Sequence, residues 1–349
     1  MQFTETNKRF AQQFEDGLHT AASLTVFANG KLAFDISRGH AVKNPLWHVF
    51  SMGKPLAAAV LWRFKSRGHF EWKTPVAEFW PEFGVRGKSR ITIGHVLTHT
   101  AGLADHSKIP VDDYIDWGRV INHLEDMTPA TEPGSYVHYH SRTFGWLVAE
   151  IASRISGLPF DECFNREVCY PLGLRQTAFT IEPSDLCRVV PLENGENWEQ
   201  PEMVESSRLL TTFQVTLPAG SLMTTTMDAA RFYAAISGKG TTNGVAWLPA
   251  SIIEEVTSLQ AEGNDSGSGN YSRVGFGIRL PSEPPNQYAS NNKGAVGHGG
   301  LGTCTGWASI DDNVSVAFVA NTFQPGDVNR NRLHAISEAI RIDLDLAHI

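Results

Sequence analysis

Residues 44–64 read NPLWHVFSMGKPLAAAVLWRF and contain a serine and a lysine three positions apart, Ser51 and Lys54. The pattern predicts a helix over residues 51–66, and positions i and i+3 of a helix share one face. Pro55 is tolerated in a first turn, because the backbone donors there have no intrahelical partner. The stretch therefore indicates a nucleophilic serine beside a basic group, at a helix N-terminus whose free N–H groups favour a developing oxyanion.

The S-x-x-K pattern alone is short enough to arise by chance. A second copy at residues 290–293 lies in a polar loop, with no predicted helix to position its side chains. For Ser51, an ordinary serine N-cap followed by a solvated lysine explains the same residues. Other parts of the sequence must decide between these interpretations.

The composition is that of an ordinary globular protein. Of the 349 residues, 42% are hydrophobic and 19% charged, which is enough for one large core or two intertwined domains. The net charge of -8, without a basic run, argues against a nucleic-acid partner. The N-terminal residues lack the apolar core of a secretory signal, and no run approaches the roughly 20 apolar residues of a membrane span. We therefore expect a cytoplasmic protein without a membrane partner, and the oligomeric state is left open.

Cysteine and histidine spacing gives no strong sign of a metal site. The four cysteines include no C-x-x-C pair, which predicts reduced and mostly buried thiols. His95 and His99 have H-x-x-x-H spacing, but the glutamate that a zinc hydrolase would use as base does not follow the first histidine. His138 and His140 flank Tyr139 in a polar loop. We expect no metal ion at either pair.

The order of the predicted elements indicates an α+β fold. Residues 4–17 are typical of a helix, and Asn29-Gly30 between two β-rich runs predicts a hairpin. A mostly helical region over residues 69–260 precedes strand-like runs, and a terminal helix follows over residues 328–345. We predict an antiparallel sheet built from both ends of the chain and flanked by helices, with a mostly helical domain inserted. The predicted boundaries are 1–66 and 256–349 for the sheet domain and 67–255 for the helical domain.

Particular residues mark the ends of some of these elements. Two amphipathic helices are predicted to end at Gly157 and Gly238, because glycine is favoured just beyond a helix C-terminus. The run RVGFGIRL, residues 273–280, is strand-like. The sequence shows no internal repeat.

Two further stretches carry candidate chemistry. Tyr139, in the segment PGSYVHYHS, could act as a base if a neighbouring ammonium eased its ionisation, although a simply packed tyrosine is the alternative. Residues 297–302 read GHGGLG, but the strand-like run that follows argues against a dinucleotide fingerprint, which needs a helix there. Glycines within a strand instead let a ligand approach the backbone closely. No G-x-S-x-G motif occurs, which argues against an α/β-hydrolase.

Taken together, these stretches resemble the serine β-lactamase and penicillin-binding-protein superfamily. The similarity is strongest to its class C-like branch of esterases and D-aminopeptidase-like hydrolases. Five stretches match family motifs in the family's order: FSMGK, ITIGHVLTHTAGL, PGSYVHYHS with the helix after it, PAGSLMTTTMDAARFYAAI and VGHGGLGT. The resemblance extends from about residue 22 to the end of the sequence, and five ordered motifs are far more specific than any single one.

The resemblance implies a sheet flanked by helices, with the active site in the cleft beside a helical domain. It implies a covalent acyl-enzyme on Ser51, with no metal or organic cofactor, and with Lys54 and Tyr139 as the proton-handling pair. The backbone N–H groups of Ser51 and Leu301 would form the oxyanion hole. The implied substrate-binding residues are Ser141, His298, Gly299 and Gly300.

Two positions depart from the β-lactamase pattern. Ser141 replaces an asparagine, so a short hydroxyl stands where an amide could both donate and accept. His298 replaces the lysine of the K-T-G element, and histidine, with a reference pKa of about 6.5, is mostly neutral near pH 7. Both changes weaken recognition of a β-lactam carboxylate and fit an esterase-like pocket better.

We therefore predict a serine hydrolase that acts on a small-molecule ester, or an amide, through an acyl-enzyme on Ser51. An acyltransferase on the same scaffold, a D-aminopeptidase-like or D,D-peptidase-like amidase, and a ligand-binding relative without turnover are the alternatives. Specificity is expected to depend on three loops, at residues 104–135, 190–217 and 281–293.

Overall fold

The computed structural model describes residues 2–39, 42–208, 215–282 and 295–346. The second S-x-x-K copy, at residues 290–293, lies outside these residues, as does part of the loops assigned to specificity. Across the described ranges, no helix combines the length and apolar character needed to cross a bilayer.

Helices occupy most of the middle of the chain. In order, the α-helices are α1 (Thr4–Glu15), α2 (Lys54–Ser66), α3 (Ile93–Leu97), α4 (Trp117–Asp126), α5 (Thr143–Ser156), α6 (Phe160–Phe164), α7 (Tyr170–Leu172), α8 (Pro201–Arg208), α9 (Thr226–Ser237), α10 (Ala250–Thr257) and α11 (Gly326–Asp343). The predicted ends after α5 and α9 are confirmed, since Gly157 (φ 72°) and Gly238 are their C-caps.

Strands come from both ends of the chain, with short pairs between them. They are β1 (Ala22–Ala28), β2 (Lys31–Arg38), β3 (Trp47–His48), β4 (Glu193–Asn194), β5 (Met223–Thr224), β6 (Thr241–Thr242), β7 (Val245–Ala246), β8 (Ala261–Asn264), β9 (Tyr271–Val274), β10 (Ala295–Gly300), β11 (Cys304–Ser309), β12 (Val314–Ala320) and β13 (Thr322–Phe323).

The main sheet has five antiparallel strands in the order β10-β11-β12-β1-β2. Its β1–β2 hairpin turns at Asn29 and Gly30, whose φ angles of 51° and 70° are those that a two-residue I′ turn requires. Strand β1 pairs with β12 from Ala22 opposite Ala320 onward, so the sheet joins the two ends of the chain. The predicted fold class, an antiparallel sheet with flanking helices, is confirmed.

Both faces of the sheet are covered, which explains why β1 and β12 are buried along almost their whole length. On one face, Phe10 of α1 and Ile336 of α11 pack with Leu24 and Phe318. On the other face lies α9, whose Ala230 carbonyl accepts a hydrogen bond from Ser315 Oγ at 2.9 Å. Each large apolar side chain buried in this way stabilises the fold by about 1.5–3 kcal/mol relative to exposure.

Helix α2 links the sheet to the helical region. Its residues from Lys54 to Trp62 are all buried, so it is apolar on every side, as expected of a helix inside a core. One continuous apolar cluster runs from the sheet through α2 to α4 and α5. Helix α9 packs on the sheet although it falls within residues 67–255, and the predicted domain boundaries stay a prediction.

Three predicted element boundaries differ from those in the structure. The helix predicted from residue 51 begins at Lys54. The strand predicted over residues 273–280 ends at Val274, after which the chain turns at Gly277 (φ 82°). The terminal helix begins two residues earlier than predicted, at Gly326, and ends at Asp343.

Candidate active site

Ser51 lies in a short 3₁₀ turn, Phe50–Gly53, directly before α2. The N-cap residue of α2 is Gly53, so the serine N-cap interpretation of Ser51 is wrong. Phe50 has a φ of 46°, a left-handed conformation that a bulky residue adopts only where its surroundings enforce it. Its ring stacks on His48 with centroids 3.9 Å apart. The turn that presents Ser51 is therefore held in a strained form by packing.

Lys54 is the most constrained polar group of the site. It is fully buried, and its Nζ donates hydrogen bonds to Ser51 Oγ at 2.9 Å, Ser141 O at 2.8 Å and Ala219 O at 3.0 Å. Gly145 makes this arrangement possible, because a Cβ there would overlap the backbone of Ala219. The predicted pairing of the serine and the lysine is thus present as a direct contact.

The environment of Lys54 favours the neutral amine. Burial, followed by the charges of Arg279 and Arg142, holds its pKa well below the usual value of 10.5. Carbonyl oxygens can only accept, so two N–H groups of Lys54 remain directed at Ser141 and Ala219 in either protonation state. In the neutral state the nitrogen lone pair therefore remains for the Ser51 hydroxyl. An amine in this position can accept a proton from the Ser51 hydroxyl, and the roles of general base and nucleophile stay predictions.

Tyr139 lies directly beside Lys54, whose Nζ is 4.8 Å from the centre of the phenol ring. Its backbone N–H donates to Asp265 Oδ2 at 2.6 Å, and its ring packs against His99 with centroids 4.9 Å apart. Asp265 also accepts from the backbone N–H groups of a tight turn that follows it. The structure thus brings the three predicted catalytic residues to one place.

The histidines around Tyr139 hold the loop that carries it. The His140 ring donates through Nδ1 to the His138 carbonyl (2.6 Å) and accepts at Nε2 from Leu103 N (3.0 Å), which requires the neutral tautomer. Burial lowers the pKa of His140 to about 4, which agrees with this assignment. His99 Nδ1 accepts from His140 N at 3.2 Å, and His95 Nδ1 accepts from a backbone N–H at its own helix start. These rings therefore bind backbone groups.

The end of β10 lies against the Ser51 turn. A Cβ at Gly300 would overlap Cys304 Sγ and lie 2.5 Å from the carbonyl oxygen of Val49, so this approach requires glycine. Cys304 Sγ donates to the same Val49 oxygen at 3.3 Å. Leu301 follows directly, at the start of the next turn, half-buried. Its N–H as an oxyanion donor stays a prediction.

His298 is almost completely buried, with 1% of its surface exposed. Its Nδ1 donates to the Gly299 carbonyl at 2.7 Å, and its ring centre lies 6.0 Å from that of Tyr139. Burial, and then the charges of Arg279 and Lys54, hold its pKa well below 6.5. His298 is therefore a neutral group near pH 7, and its predicted contact with substrate is untested.

Ser141 contributes to the site mainly through its backbone. Its carbonyl accepts from Lys54, while its hydroxyl lies 3.0 Å from Nδ1 of His106, a half-buried residue. Burial, and then the charge of Arg142, lowers the pKa of His106. The contact with His106 has no counterpart in the sequence motifs.

Arg279 was missed by the sequence reading. Its guanidinium carbon lies 4.9 Å from the centre of the Tyr139 ring, and only 6% of the residue is exposed. The sequence signal for Arg279 was an arginine within the apolar and glycine-rich run of residues 273–280. Arginine is almost never fully buried unless it has an interaction partner. A cavity of about 640 Å³ elsewhere, between Asp161 and Arg188, is lined by none of the predicted site residues.

Comparison with known proteins identifies the family of this chain. The family model described as Beta-lactamase matches residues 7–340. This chain belongs to the beta-lactamase family. Among curated beta-lactamase relatives, it is 26% identical over 355 residues to the esterase/beta-lactamase LipL of Mycobacterium tuberculosis, covering 90% of this chain and 80% of LipL. The predicted resemblance is thereby confirmed.

Solved structures of the beta-lactamase fold superimpose over almost the whole chain. A family VIII carboxylesterase aligns with a TM-score of 0.87 at 24% identity, over 97% of both chains. A penicillin-binding-protein homologue from Caulobacter crescentus aligns with a TM-score of 0.84 at 26% identity, also over 97% of both. The chain is thus a hydrolase of the beta-lactamase-like family, in which esterases and penicillin-binding proteins share one fold.

Proposed function

We propose that this protein is a serine esterase that cleaves small carboxylic esters through an acyl-enzyme on Ser51. The observation that carries the proposal is the hydrogen bonding of the buried Lys54. Two N–H groups of its Nζ point to backbone carbonyls, and the remaining hydrogen-bonding direction of the nitrogen points to Ser51 Oγ. A lysine that spends part of its time as a neutral amine can take the serine proton.

The proposed reaction has two half-reactions. Ser51 Oγ attacks the ester carbon while its proton passes to Lys54, with Tyr139 beside it as the second proton-handling group. The N–H groups of Ser51 and Leu301 would stabilise the tetrahedral oxyanion, and the alcohol leaves with the proton returned to it. Water then attacks the acyl carbon and loses a proton to the same base. The bond between that carbon and Ser51 Oγ breaks, the base returns the proton to Ser51, and the acid leaves.

Two features favour esters over β-lactams as substrates. The hydroxyl of Ser141 lies against His106 and offers no amide to the substrate. The buried His298 supplies no positive charge near pH 7 for a substrate carboxylate, because its pKa is lowered. The similarity to a family VIII carboxylesterase supports the same choice, whereas LipL, an esterase/beta-lactamase, fits both substrate classes.

The test is hydrolysis of p-nitrophenyl acetate and butyrate by the wild-type protein, Ser51→Ala and the control Ser184→Ala, which removes an exposed hydroxyl. We expect Ser51→Ala to lower kcat/KM by about 10³-fold or more, and Ser184→Ala to keep wild-type activity. Intact mass after brief exposure to substrate should show one acyl group on the wild-type protein and none on Ser51→Ala. Wild-type turnover by Ser51→Ala would refute the proposal.

The same experiment identifies the acyl acceptor and the bond that is cleaved. Added 1-propanol competes with water for the acyl-enzyme, so an esterase releases mainly the acid and an acyltransferase mainly the propyl ester. A p-nitroanilide of the same acyl group tests amides. Faster turnover of the anilide than of the ester would assign the protein to the amidases of the family.

A further inference from the structure

Two basic side chains lie beside one phenol ring in this site. Lys54 Nζ is 4.8 Å and the guanidinium carbon of Arg279 is 4.9 Å from the ring centre of Tyr139. Both basic side chains are buried, Lys54 completely and Arg279 to 94%. Charges at this depth interact strongly, because little water screens them.

The position of Arg279 is set by its neighbours. Its backbone exchanges two hydrogen bonds with Gly297 of β10, at 2.9 and 3.0 Å. Its side chain donates to Ser272 Oγ of β9. The preceding turn depends on Gly277, since a Cβ at that position would overlap the Cβ of Ala58 in α2. The arginine is therefore anchored both to the strand that carries His298 and to the helix that carries Lys54.

His298, a basic residue on β10 beside Arg279, does not supply a charge. It donates to a backbone carbonyl through Nδ1, it is 1% exposed, and its pKa is held well below 6.5 by burial and by Arg279 and Lys54. Arginine in contrast stays protonated over the whole working range of an enzyme. Arg279 is thus a permanent positive charge beside Tyr139.

We infer that Arg279 is a positioning residue for acyl transfer, whose fixed charge keeps Lys54 a neutral amine and favours the ionised form of Tyr139, so that the proton of Ser51 has an acceptor. This inference rests on the proposed function of Ser51. The inference assigns a role in proton handling to a residue outside the family motifs. The segment of Arg279 is distant in sequence from Lys54 and Tyr139 and reaches them through tertiary packing.

Other charged and titratable groups also surround Lys54 and Tyr139. Arg142 adds a second, weaker positive influence on Lys54. The carboxylate of Asp265 binds the Tyr139 backbone and opposes these cations. Further neighbours among the described residues are histidines whose pKa values burial lowers: His99, His106, His140 and His298. Because these rings are neutral at pH 7, Arg279 remains the largest single charge acting on Lys54.

The sign of the expected effect follows from Coulomb's law. Removing a positive charge beside Lys54 raises the pKa of Lys54, so the ammonium persists to higher pH and cannot accept the serine proton. A nearby charge shifts a pKa by about one unit or more. The acidic limb of the activity profile is the pH range in which the rate increases as Lys54 loses its proton. This limb should therefore move to higher pH in Arg279→Met. That variant keeps an unbranched side chain but loses the charge.

The experiment measures the rate at which a fluorophosphonate labels Ser51, from pH 5 to 9. In this reaction Ser51 Oγ forms a bond to phosphorus, the phosphorus–fluorine bond breaks, fluoride leaves, and the serine proton passes to Lys54. For Arg279→Met we expect the midpoint of the acidic limb to shift to higher pH by about one unit. At pH values below that midpoint the labelling rate should fall about tenfold. Arg279→Lys should keep the limb within a few tenths of a pH unit of wild type.

Two further variants separate charge from structure. The double variant Arg279→Met/His298→Lys restores a cation from a position whose native ring lies 6.0 Å from the Tyr139 ring, and should bring the limb back toward wild type. Arg273→Met removes an arginine from β9 that pairs with Glu262, and should leave the profile unchanged. If circular dichroism shows that Arg279→Met is unfolded, Arg279→Gln provides the same comparison with a hydrogen-bonding side chain.

The inference is overturned if the uncharged variant labels Ser51 with the wild-type pH profile, or if its rate falls by the same factor at every pH. Either result would leave Arg279 a purely structural residue. Failure of the wild-type protein to be labelled at Ser51 is a different outcome, because it would refute the proposed function itself.

Discussion

Lys54 donates a hydrogen bond to the main-chain oxygen of Ser141 at 2.8 Å, so the backbone of residue 141 holds the proposed base in place. The Ser141 side chain is directed elsewhere, to His106 at 3.0 Å. The main-chain contact is independent of which side chain occupies position 141. Substitution at this position can therefore separate the support of Lys54 from any contact with substrate.

Ser141→Ala should leave the activation of Ser51 nearly intact, because the carbonyl that accepts from Lys54 is kept. We expect kcat/KM for p-nitrophenyl butyrate to stay within about threefold of wild type, a change of less than 1 kcal/mol. His106→Ala, which removes the other partner of the same contact, is the matched variant. A loss of more than about 100-fold in Ser141→Ala would mean that the hydroxyl itself takes part in the reaction.

Lys54→Met should abolish activity and alter how stability depends on pH. The folded-state pKa of Lys54 lies below its unfolded value, so the unfolded chain binds more protons between the two values and stability rises with pH in that window. A methionine side chain does not titrate, so it contributes no pH dependence to the stability. From pH 7 to 10, the free energy of unfolding of the wild-type protein should therefore rise relative to that of Lys54→Met.

Urea unfolding of both proteins at several pH values measures that difference. Other titrating groups, such as the buried Lys88, are present in both proteins and cancel. A difference that stays constant with pH would contradict the lowered pKa of Lys54. Activity of Lys54→Met should be lower by about 10³-fold or more, as expected when a base acting with its nucleophile is removed.

His298 should not act as a pH-dependent anion binder near neutrality. Its pKa lies well below 6.5, so its charge is already lost at pH 6. For an ester of a dicarboxylic acid, the ratio of kcat/KM between wild type and His298→Gln should be constant from pH 6 to 8. A ratio that falls as pH rises through this range would show that His298 binds the substrate as a cation.

Gly300→Ala should disrupt the contact between β10 and the Ser51 turn. The new Cβ would overlap Cys304 Sγ and press on the Val49 carbonyl, which overpacks a rigid site and costs about 1–3 kcal/mol of stability. A displacement of about 1 Å at the nucleophile lowers kcat/KM by about 10²-fold. Denaturant unfolding measures the loss of stability, and ester hydrolysis measures the change in kcat/KM.

Gly220→Ala is the control for that substitution, since a Cβ at position 220 meets no atom within 4 Å. Its stability should change by no more than about 0.5 kcal/mol. Equal losses in the two variants would show that the cost comes from backbone conformation at glycine rather than from the close approach to Val49.

Local chemistry made part of this molecule predictable from its sequence. The Asn29-Gly30 turn and the helix end at Gly157 depend on positive φ angles that few other residues adopt. Each could therefore be predicted from a short stretch of sequence. The contact of Ser51 with Lys54 follows from a separation of three residues. These features need no knowledge of the rest of the fold.

The parts that escaped prediction depend on residues distant in sequence. Arg279 reaches Tyr139, and His106 reaches Ser141, only because separate segments pack together, and no local pattern encodes either contact. The start of α2 was misplaced for a similar reason. The left-handed Phe50 is stabilised by rings from elsewhere in the fold, including Phe323 at 5.4 Å.

The pairing of β1 with β12 has a consequence for the order of events during synthesis. Ala21 N donates to Asn321 Oδ1 across 300 residues of chain, so the first strands leave the ribosome long before their partner is made. The nascent chain must keep an apolar hairpin, and an incomplete pocket around Ser51, until the last strands emerge. Contacts of such long range slow folding, and the unpaired hairpin edge invites association with other chains in the meantime. The surroundings proposed to activate Ser51 can therefore form only after β10–β12, residues 295–320, have been synthesised.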